Sequence, residues 1–324
     1  MSKLKIAVVI PAYKVREQIL GVINQIPKEV SNILVVDDGC PENTGDYVEE
    51  SSKDIRVVVI RHKENLGVGS AVLSGYKYAL SLDISVVIKI DGDGQMDPSL
   101  VPYFYNPILS GEADYTKGNR FYSLHSIKLM PLLRIVGNSA LSFITKFSSG
   151  YWNILDPTNG YTAVSRSILL NLNFDKISKR FFFESDFLYH LYNLNAKVID
   201  IPVKSRYGDE SSNLKILNVF LFFLWGNSKN FLKRIFFKYY IKDFSIASLE
   251  LLIGLILTSI GVIWGLDKLY FSPSEISLPT GTIILNSTMI IVGIQFLISF
   301  LNYDISQIPK VSISKSLINR ADLD

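Results

Sequence analysis

The stretch VVIKIDGDGQMD, residues 86–97, decides the fold of this chain. An apolar, β-branched run leads through Lys89 and Ile90 and then gives way to carboxylates and glycines within five positions. This pattern is typical of a buried strand whose carboxyl end opens into a site, and open α/β sheets bind ligands at that edge. Asp91 and Asp93 lie one residue apart and can converge on one hard cation that is held jointly with phosphates. The alternative is an ordinary solvated Asp-Gly turn.

Four short apolar segments alternate with helix-like patterns, at residues 6–10, 33–36, 56–60 and 86–90. Strands that alternate with amphipathic helices predict βαβ units and a mainly parallel α/β sheet. The first, second and fourth strands end in polar or turn residues, so their carboxyl ends should lie side by side. The residues expected to line one crevice there are Pro11, Tyr13, Glu17, Asp37, Asp38, Asp91 and Asp93.

This crevice has the chemistry of a nucleotide pocket. A carboxylate beyond the second strand can accept hydrogen bonds from a ribose or a base edge, and Pro11 with Tyr13 can wall a base. The alternative is that Asp37 and Asp38 form a turn before a helix that begins near residues 42–44. Their position at the predicted ligand edge favours the binding interpretation.

Composition excludes several other classes. The formal net charge is only +3, so the basic balance does not by itself indicate a nucleic-acid-binding protein. The single cysteine, Cys40, excludes an intramolecular disulfide and a cysteine-based zinc cluster. The three histidines share no metal-ligand spacing, and no G-x-S-x-G motif or Cys/His pair supplies a hydrolase nucleophile.

Further charged residues follow predicted strands in the second half of the soluble part. Arg120 ends a strand over residues 115–120, Arg134 follows in a helical segment, and Asp156 opens a turn over 156–160. Strands are also predicted over 161–165 and 197–203, with an aromatic helical run over 181–193 that carries Glu184 and Asp186. A loop over 206–212 begins with Arg206 and could close on phosphates.

Seven motifs follow one another across about residues 5–212: IPAYK, VDDG, KENLGVGSAVLSG, IDGDGQ, KGNR, DPTNGY and SRYGDESS. This ordered set resembles the family 2 glycosyltransferases with the GT-A fold, and within them the polyprenyl-phosphate glycosyltransferases such as dolichyl-phosphate mannose synthase and the bactoprenol glucosyltransferases. The resemblance implies a Rossmann-like, mainly parallel catalytic domain. It also implies an inverting transfer of a sugar from a nucleotide sugar to a polyprenyl phosphate.

The resemblance also assigns roles to particular residues. Asp37 and Asp38 would face the uridine or ribose, and Arg206 would contact the phosphates. The cofactor, Mg²⁺ or Mn²⁺, would be surrounded by Asp91, Asp93 and Gln95. Arg120 and Arg134 would grip the acceptor phosphate, with Asp156 beside the reacting centre. The acceptor phosphate is already largely anionic at neutral pH, so Asp156 could orient the nucleophile instead of acting as a general base.

A basic and aromatic segment follows the soluble part. Residues 211–242 contain no Asp or Glu, and their lysines and arginine alternate with phenylalanines. This composition suits helices that lie in a membrane interface, although a basic aromatic run can also bind nucleic acid. The membrane spans that follow favour the interface. The residues expected to contact headgroups are Lys229, Lys233, Arg234 and Lys238.

Two long apolar runs close the chain. Residues 244–266 hold one charge, Glu250, and residues 276–303 hold none, so each is long enough to span a bilayer. Residues 267–275 would form the turn between them. Basic residues lie before the first span and after the second, which places the catalytic domain and both termini in the cytoplasm by the positive-inside rule.

The predicted organisation therefore has four parts: a GT-A glycosyltransferase domain over 1–212, interfacial helices over 213–243, a two-helix transmembrane hairpin over 244–303 with spans at about 244–266 and 280–302, and a tail over 304–324. The donor favoured at this stage is UDP-glucose, with GDP-mannose or another sugar nucleotide as the alternative. An inactive membrane-anchored nucleotide-binding scaffold is the alternative of another class, and a homo-oligomer is left open. A processive polysaccharide synthase is disfavoured because two spans leave little room for a polymer channel.

Overall fold

The structure, a computed structural model, describes residues 4–122, 132–204, 216–271, 278–313 and 315. The chain separates into two compact units, one of Met1–Phe231 with Pro309–Asp324 and one of Leu232–Ile308. The predicted domain boundary near residue 212 falls outside the described residues and stays a prediction.

Within the described residues, seven strands form one sheet. They are β1 Ile6–Ala12, β2 Asn32–Asp37, β3 Val57–Arg61, β4 Val86–Lys89, β5 Tyr115–Asn119, β6 Thr162–Ser165 and β7 Val198–Pro202. The sheet order is β3-β2-β1-β4-β6-β5-β7. The first four strands pair in parallel and β7 pairs in parallel with β5, whereas β6 runs antiparallel to both of its neighbours. This arrangement confirms the predicted mainly parallel α/β sheet.

The helices of the first unit lie on both faces of the sheet. They are α1 Arg16–Gln25, α2 Thr44–Ser51, α3 Val68–Ser81, α4 Val101–Leu109, α5 Leu132–Ser149, α6 Arg166–Asn171, α7 Phe183–Asn193 and the greater part of α8 Ile216–Phe236. Side chains alternate between the faces of a strand. Val8 and Ile10 therefore join the core with α1 and α4, while Val9 on the other face meets Gly75 of α3.

The carboxyl ends of β2, β1 and β4 lie side by side. The register pairs Ala12 of β1 with Asp37 of β2, and Val9 of β1 with Lys89 of β4. The buried β-branched runs that predicted these strands form them, because parallel strands covered on both faces need continuous apolar sequence. The loops that carry Tyr13, Asp38 and Asp91 consequently leave the sheet at one edge.

Asp114 connects the C-terminal segment to the first unit. Its carboxylate is fully buried and accepts hydrogen bonds from the backbone N–H groups of Lys197 at 2.9 Å and Ile313 at 2.9 Å. Ser312 adds a hydrogen bond from its hydroxyl to the carbonyl of Gly111. The predicted tail over residues 304–324 thus includes a part, near residues 312 and 313, that packs on the catalytic unit.

Replacing Asp114 with alanine is expected to destabilise the first unit by about 2–4 kcal/mol, because two partly buried backbone N–H groups lose their buried acceptor. Thermal unfolding of the detergent-solubilised protein measures the effect. Glu112→Ala is the matched control, since Glu112 is an exposed acid two residues away. Equal midpoints for the two variants would contradict this role for Asp114.

The second unit contains two helices long and apolar enough to cross a membrane, α9 Ile246–Phe271 and α10 Thr280–Ser306. They pack closely through small residues: a Cβ at Gly254 would lie 2.9 Å from Leu297 Cδ2, and one at Gly261 would lie 2.6 Å from Ile290 Cγ1. Small residues of this kind let membrane helices approach each other. The helix α9 continues through residues 267–271, so the predicted turn beginning at Asp267 starts too early.

Arg234 forms a buried ion pair and not the predicted contact with lipid headgroups. Its side chain is fully buried, and its guanidinium donates to both carboxylate oxygens of Asp304, at 2.6 and 2.9 Å. Tyr239 also donates to Asp304 at 2.6 Å. Two parallel N–H groups of an arginine match the two oxygens of a carboxylate, which favours this bidentate pair. The two residues are 70 positions apart, so no local sequence pattern connects them. Lys229 and Lys233 are exposed and Lys238 is half-buried, and their contact with headgroups stays a prediction.

Candidate active site

The ends of β1, β2 and β4 open into a cavity of about 530 Å³. Its wall includes four predicted nucleotide-sugar ligands, Pro11, Tyr13, Asp38 and Asp91. Gly67, at the start of α3, and Arg180, in the loop before α7, also line it. Glu17 lies exposed in the first turn of α1 and is not part of this wall. A cavity of this size, with apolar walls and a few polar groups, is typical of a small-ligand site.

Asp38 is held rigidly at the base of this cavity. Its carboxylate accepts the backbone N–H of Leu66 at 3.0 Å and that of Gly67 at 2.8 Å, and His62 Nδ1 lies 2.7 Å away. His62 in turn contacts the hydroxyl of Ser74 at 2.8 Å. These bonds fix the Asp38 carboxylate at the edge of the sheet where the cavity opens.

Asp37 has a different role from the predicted contact with the nucleotide. Its carboxylate accepts the backbone N–H of Cys40 at 2.7 Å and that of Gly45 at 2.6 Å, and it is buried beneath the loop. It therefore closes the turn between β2 and α2, which is the structural alternative the sequence left open. Of the pair, Asp38 lines the cavity and Asp37 shapes the loop that presents it.

A second cavity, of about 150 Å³, adjoins the first. Asp91 and Asp93 line both cavities. Gln95, Arg120 and Gly160 complete much of the second wall. The two acids therefore stand between a nucleotide-sized cavity and a smaller one that contains an arginine.

The residues present fit a divalent cation. Two carboxylates and one amide line the same small cavity, and Mg²⁺ and Mn²⁺ prefer oxygen ligands. Asp93 Oδ1 accepts the N–H of Gln95 at 3.0 Å, which shapes the loop around Gly94 with its φ of +76°. The part of the chain that the structure describes holds no cluster of three or more His, Cys, Asp or Glu residues suited to a metal. Further ligands would come from substrate phosphates, as is usual for Mg²⁺.

Lys89 lies directly behind these acids. Its ammonium group is buried and lies 2.9 Å from Asp91 Oδ1 and 2.9 Å from Glu184 Oε1. Burial by itself would lower the pKa of Lys89, but the two carboxylates outweigh it and hold the pKa above its usual value. No sequence pattern connects Lys89 with Glu184, although a lysine inside a buried strand indicates that it has a carboxylate partner.

Gly160 leaves room for this ion pair. A Cβ at Gly160 would lie 2.5 Å from both Asp91 Oδ2 and Lys89 Nζ, and neither of these atoms can move without disturbing the pair. The turnover of the Gly160→Ala variant is expected to be at least about tenfold lower, because a shift of about 1 Å in the position of a catalytic group can lower the rate by that factor or more. Gly21→Ala is the control, since nothing lies within 4 Å of its Cβ position. Initial-rate measurements on both variants test this, and equal rates would contradict it.

Arg120 and Asp156 form a close pair at the second cavity. The Arg120 side chain donates to Asp156 through Nε at 2.7 Å and through a terminal nitrogen at 2.9 Å, and its backbone N–H also points to Asp156. Asp156 is fully buried, whereas the Arg120 side chain is partly exposed and lines the cavity. Arg120 therefore faces the cavity, and Asp156 holds the Arg120 side chain in place. This arrangement favours an orienting role for Asp156 over the role of a general base.

Two further buried charges lie near this pair. Burial lowers the pKa of Lys117 to about 8, although Glu184 and Asp156 oppose the change, and its ammonium donates to the carbonyl of Asn159 at 2.7 Å. Burial raises the pKa of Asp200 to about 6, although it accepts hydrogen bonds from Leu155 N–H and the Asn119 amide. These groups hold the turn over residues 155–160 against β5 and β7.

Two predicted ligands could not be placed in the site. Arg134 belongs to α5, and its side chain lies outside what the structure describes. Arg206 lies among residues 205–215, also outside the described ranges. Lys204, which no sequence motif indicated as a ligand, is the last described residue before this range and lines the second cavity.

Residues 7–172 match the family described as "Glycosyl transferase family 2". The chain belongs to this family. The match covers most of the strands and loops that build both cavities, including those that carry Asp38, Asp91 and Arg120, and it confirms the resemblance drawn from the ordered motifs.

Several curated proteins are similar to the glycosyltransferase described here. The UDP-N-acetylglucosamine–dolichyl-phosphate N-acetylglucosaminyltransferase of Methanococcus voltae is 32% identical over 225 residues, which are 65% of this chain and 89% of that protein. The polyprenol monophosphomannose synthase of Mycolicibacterium smegmatis is 30% identical, over 60% of this chain and 75% of that protein. The undecaprenyl-phosphate mannosyltransferase of Micrococcus luteus is 26% identical, over 62% and 83% respectively.

Solved structures agree on the fold. The crystal structure of glucosyl-3-phosphoglycerate synthase from Mycobacterium tuberculosis with Mn²⁺, UDP and glucosyl-3-phosphoglycerate has a TM-score of 0.53 and 19% identity, and the match covers 71% of this chain and 80% of that one. A structure of the same protein with Mg²⁺ and UDP also has a TM-score of 0.53, at 18% identity, with 71% and 79% covered. The predicted GT-A fold is therefore confirmed.

Proposed function

We propose that this glycosyltransferase is membrane-bound and transfers a sugar, with inversion, from a nucleotide sugar to a polyprenyl phosphate. One observation carries the proposal: Asp91 and Asp93 line both the nucleotide-sized cavity and the cavity that contains Arg120. A donor diphosphate and an acceptor phosphate would then meet at these two acids. The names of the three relatives above support the class of acceptor.

The side chains divide the work of the reaction. Asp38, with Pro11 and Tyr13, holds the nucleoside. Asp91, Asp93 and Gln95 supply the oxygens for Mg²⁺ or Mn²⁺. Mg²⁺ or Mn²⁺ held by these residues would supply positive charge to the departing nucleoside diphosphate.

Arg120 orients the acceptor phosphate for attack. A phosphate oxygen forms the new bond to the anomeric carbon as the bond to the nucleoside diphosphate breaks, and no proton need be removed from an acceptor that is already anionic. Positioning and charge compensation by arginine are therefore the main requirements. The predicted contributions of Arg134 and Arg206 to phosphate binding belong to the same proposal.

The two apolar helices favour a membrane location for the acceptor. A polyprenyl phosphate stays in the bilayer while a sugar nucleotide is water-soluble, so transfer must take place at the membrane surface. Basic residues flank the spans on the sides that continue to the catalytic unit and the C-terminus. We infer from the positive-inside rule that this is the cytoplasmic side.

The donor sugar is the finer part of the proposal. The sequence favoured UDP-glucose over GDP-mannose, whereas the names of the relatives include N-acetylglucosamine and mannose. The deciding experiment incubates the detergent-solubilised protein with undecaprenyl or dolichyl phosphate and one of UDP-glucose, UDP-N-acetylglucosamine or GDP-mannose. Nucleotide release and the mass of the lipid product give the answer.

Each outcome of this panel has a meaning. A glycosyl-phosphate lipid with inverted anomeric configuration supports the proposed function, and its mass identifies the sugar. A product with retained configuration would contradict inversion. Nucleotide binding without turnover for every donor and acceptor would overturn the enzyme and favour the membrane-anchored scaffold.

A further inference from the structure

Glu184 has no part in the roles assigned so far, yet it pairs with a fully buried lysine beside the proposed cation site. It lies in the first turn of α7, and its side chain is 12% exposed. Its Oε1 lies 2.9 Å from Lys89 Nζ, and the lysine side chain is only 1% exposed. The same ammonium group lies 2.9 Å from Asp91 Oδ1. Lys89 is thus shared between a carboxylate of α7 and a carboxylate of the proposed cation site.

A buried ion pair of this kind is costly to form. Removing charged groups from water costs several kcal/mol per ion, and well-packed apolar residues are often at least as stable in the same place. Stability alone therefore does not account for a lysine inside β4, between apolar neighbours. The position of its second partner, Asp91, on the wall of both cavities indicates what the cluster does.

Asp91 pairs with Lys89 and also lines both cavities. Its Oδ1 lies 2.9 Å from Lys89 Nζ while its side chain is 31% exposed, so Asp91 can face a cation and stay paired with the lysine. If Lys89 were paired with Asp91 alone, its positive charge would cancel the negative charge that Asp91 needs to bind a cation. Glu184 balances the positive charge of Lys89, so the three groups together keep one net negative charge beside the cation site.

We propose that Glu184 is a positioning residue for the divalent-cation site: through Lys89 it orients Asp91 and preserves the negative charge with which Asp91 holds a cation beside a nucleoside diphosphate. This inference rests on the proposed function, since it concerns the same site. Glu184 acts through Lys89 and touches neither substrate.

The test uses Glu184→Gln, which keeps the shape and the hydrogen-bond acceptor but removes the charge. The affinity for Mn²⁺ is measured by calorimetry on the full-length protein in detergent, saturated with UDP or GDP, whichever the wild type binds. We expect Mn²⁺ affinity to fall about tenfold, an effect of the size that one nearby charge exerts in a partly shielded site. In rate measurements, the Mn²⁺ concentration for half-maximal turnover should rise by the same factor, with kcat at saturating Mn²⁺ within about twofold of wild type.

Asp186→Asn is the matched control on the same helix. Asp186 is also a buried acid, but it accepts from the N–H of Ser178 at 2.7 Å and from the Asn230 amide at 2.7 Å. Its replacement should lower the midpoint of thermal unfolding and leave Mn²⁺ affinity unchanged. Glu184→Asp, which restores the charge on a shorter side chain, should bind Mn²⁺ within about threefold of wild type and more tightly than Glu184→Gln.

The outcomes separate the inference from the function on which it rests. Wild-type Mn²⁺ affinity in Glu184→Gln overturns the inference and leaves the proposed function standing. A wild-type protein that binds no Mn²⁺ with either nucleotide overturns the inference, and turnover in the panel of donors and acceptors then decides the proposed function separately. If Glu184→Gln does not fold, Glu184→Ala, which also removes the charge, carries the test, and Mn²⁺ affinity identical to wild type in that variant overturns the inference.

Discussion

Replacing Asp93 with alanine is expected to lower turnover by about two to three orders of magnitude while the protein stays folded. Asp93 is half-buried, lies on a glycine-rich loop and lines both cavities. Its carboxylate is one of only a few oxygen ligands that the loop can offer a cation. Loss of the charge compensation that the cation gives the leaving diphosphate corresponds to several kcal/mol in the barrier, and each 1.4 kcal/mol is about tenfold in rate.

The measurement is steady-state turnover with the donor and lipid acceptor identified by the panel, over a range of Mg²⁺ and Mn²⁺ concentrations. Asp175→Ala serves as the control, because Asp175 is an exposed acid away from both cavities. Circular dichroism of both variants confirms the fold. Unchanged turnover in Asp93→Ala would exclude Asp93 from the cation site and weaken the proposed mechanism as a whole.

The main strands, and the edge of the sheet that carries the candidate site, could be predicted from the sequence because their signals are local. The run into Asp91 combines a β-branched strand with an abrupt change to acid and glycine, and three such strand ends predict a shared edge in a parallel sheet. The structure brings Asp38 and Asp91 together there, as expected. Strand ends differ from the prediction by only one or two residues, for instance at Asn32 and Asp37 of β2.

Contacts between distant segments could not be predicted in the same way. Asp37 and Asp38 are neighbours with the same chemistry, and only the path of the loop decides that Asp37 accepts from Gly45 while Asp38 faces the cavity. Lys89 and Glu184 are 95 positions apart, and a single sequence contains no signal that joins them.

The strand order and the C-terminal segment had no local signal either. The antiparallel strand β6 lies between β4 and β5, although several elements separate it from β4 along the chain. Ile313 reaches Asp114 across 199 positions, where composition had suggested only a tail. In each case the partner is set by tertiary packing, which periodicity and motif spacing do not describe.

The second large effect is expected at Asp156. Asp156→Asn should lower kcat/KM for the polyprenyl phosphate by about a hundredfold, mainly through a higher KM for the acceptor. The reason is that Arg120 loses the buried charge that receives two of its side-chain hydrogen bonds, and breaking one side of such a pair costs about 2–5 kcal/mol.

A double-mutant cycle with Arg120→Gln distinguishes support of the arginine from direct proton transfer. If Asp156 acts through Arg120, each single change should have a similar effect, and Asp156→Asn should cost little more once Arg120 is already replaced. A general base would instead contribute independently: Asp156→Asn would lower kcat at saturating acceptor, and the two losses would multiply. The non-additive result is expected, because the Asp156 side chain is buried against Arg120 and the arginine lines the cavity. An anionic acceptor phosphate needs a fixed positive partner more than it needs a base.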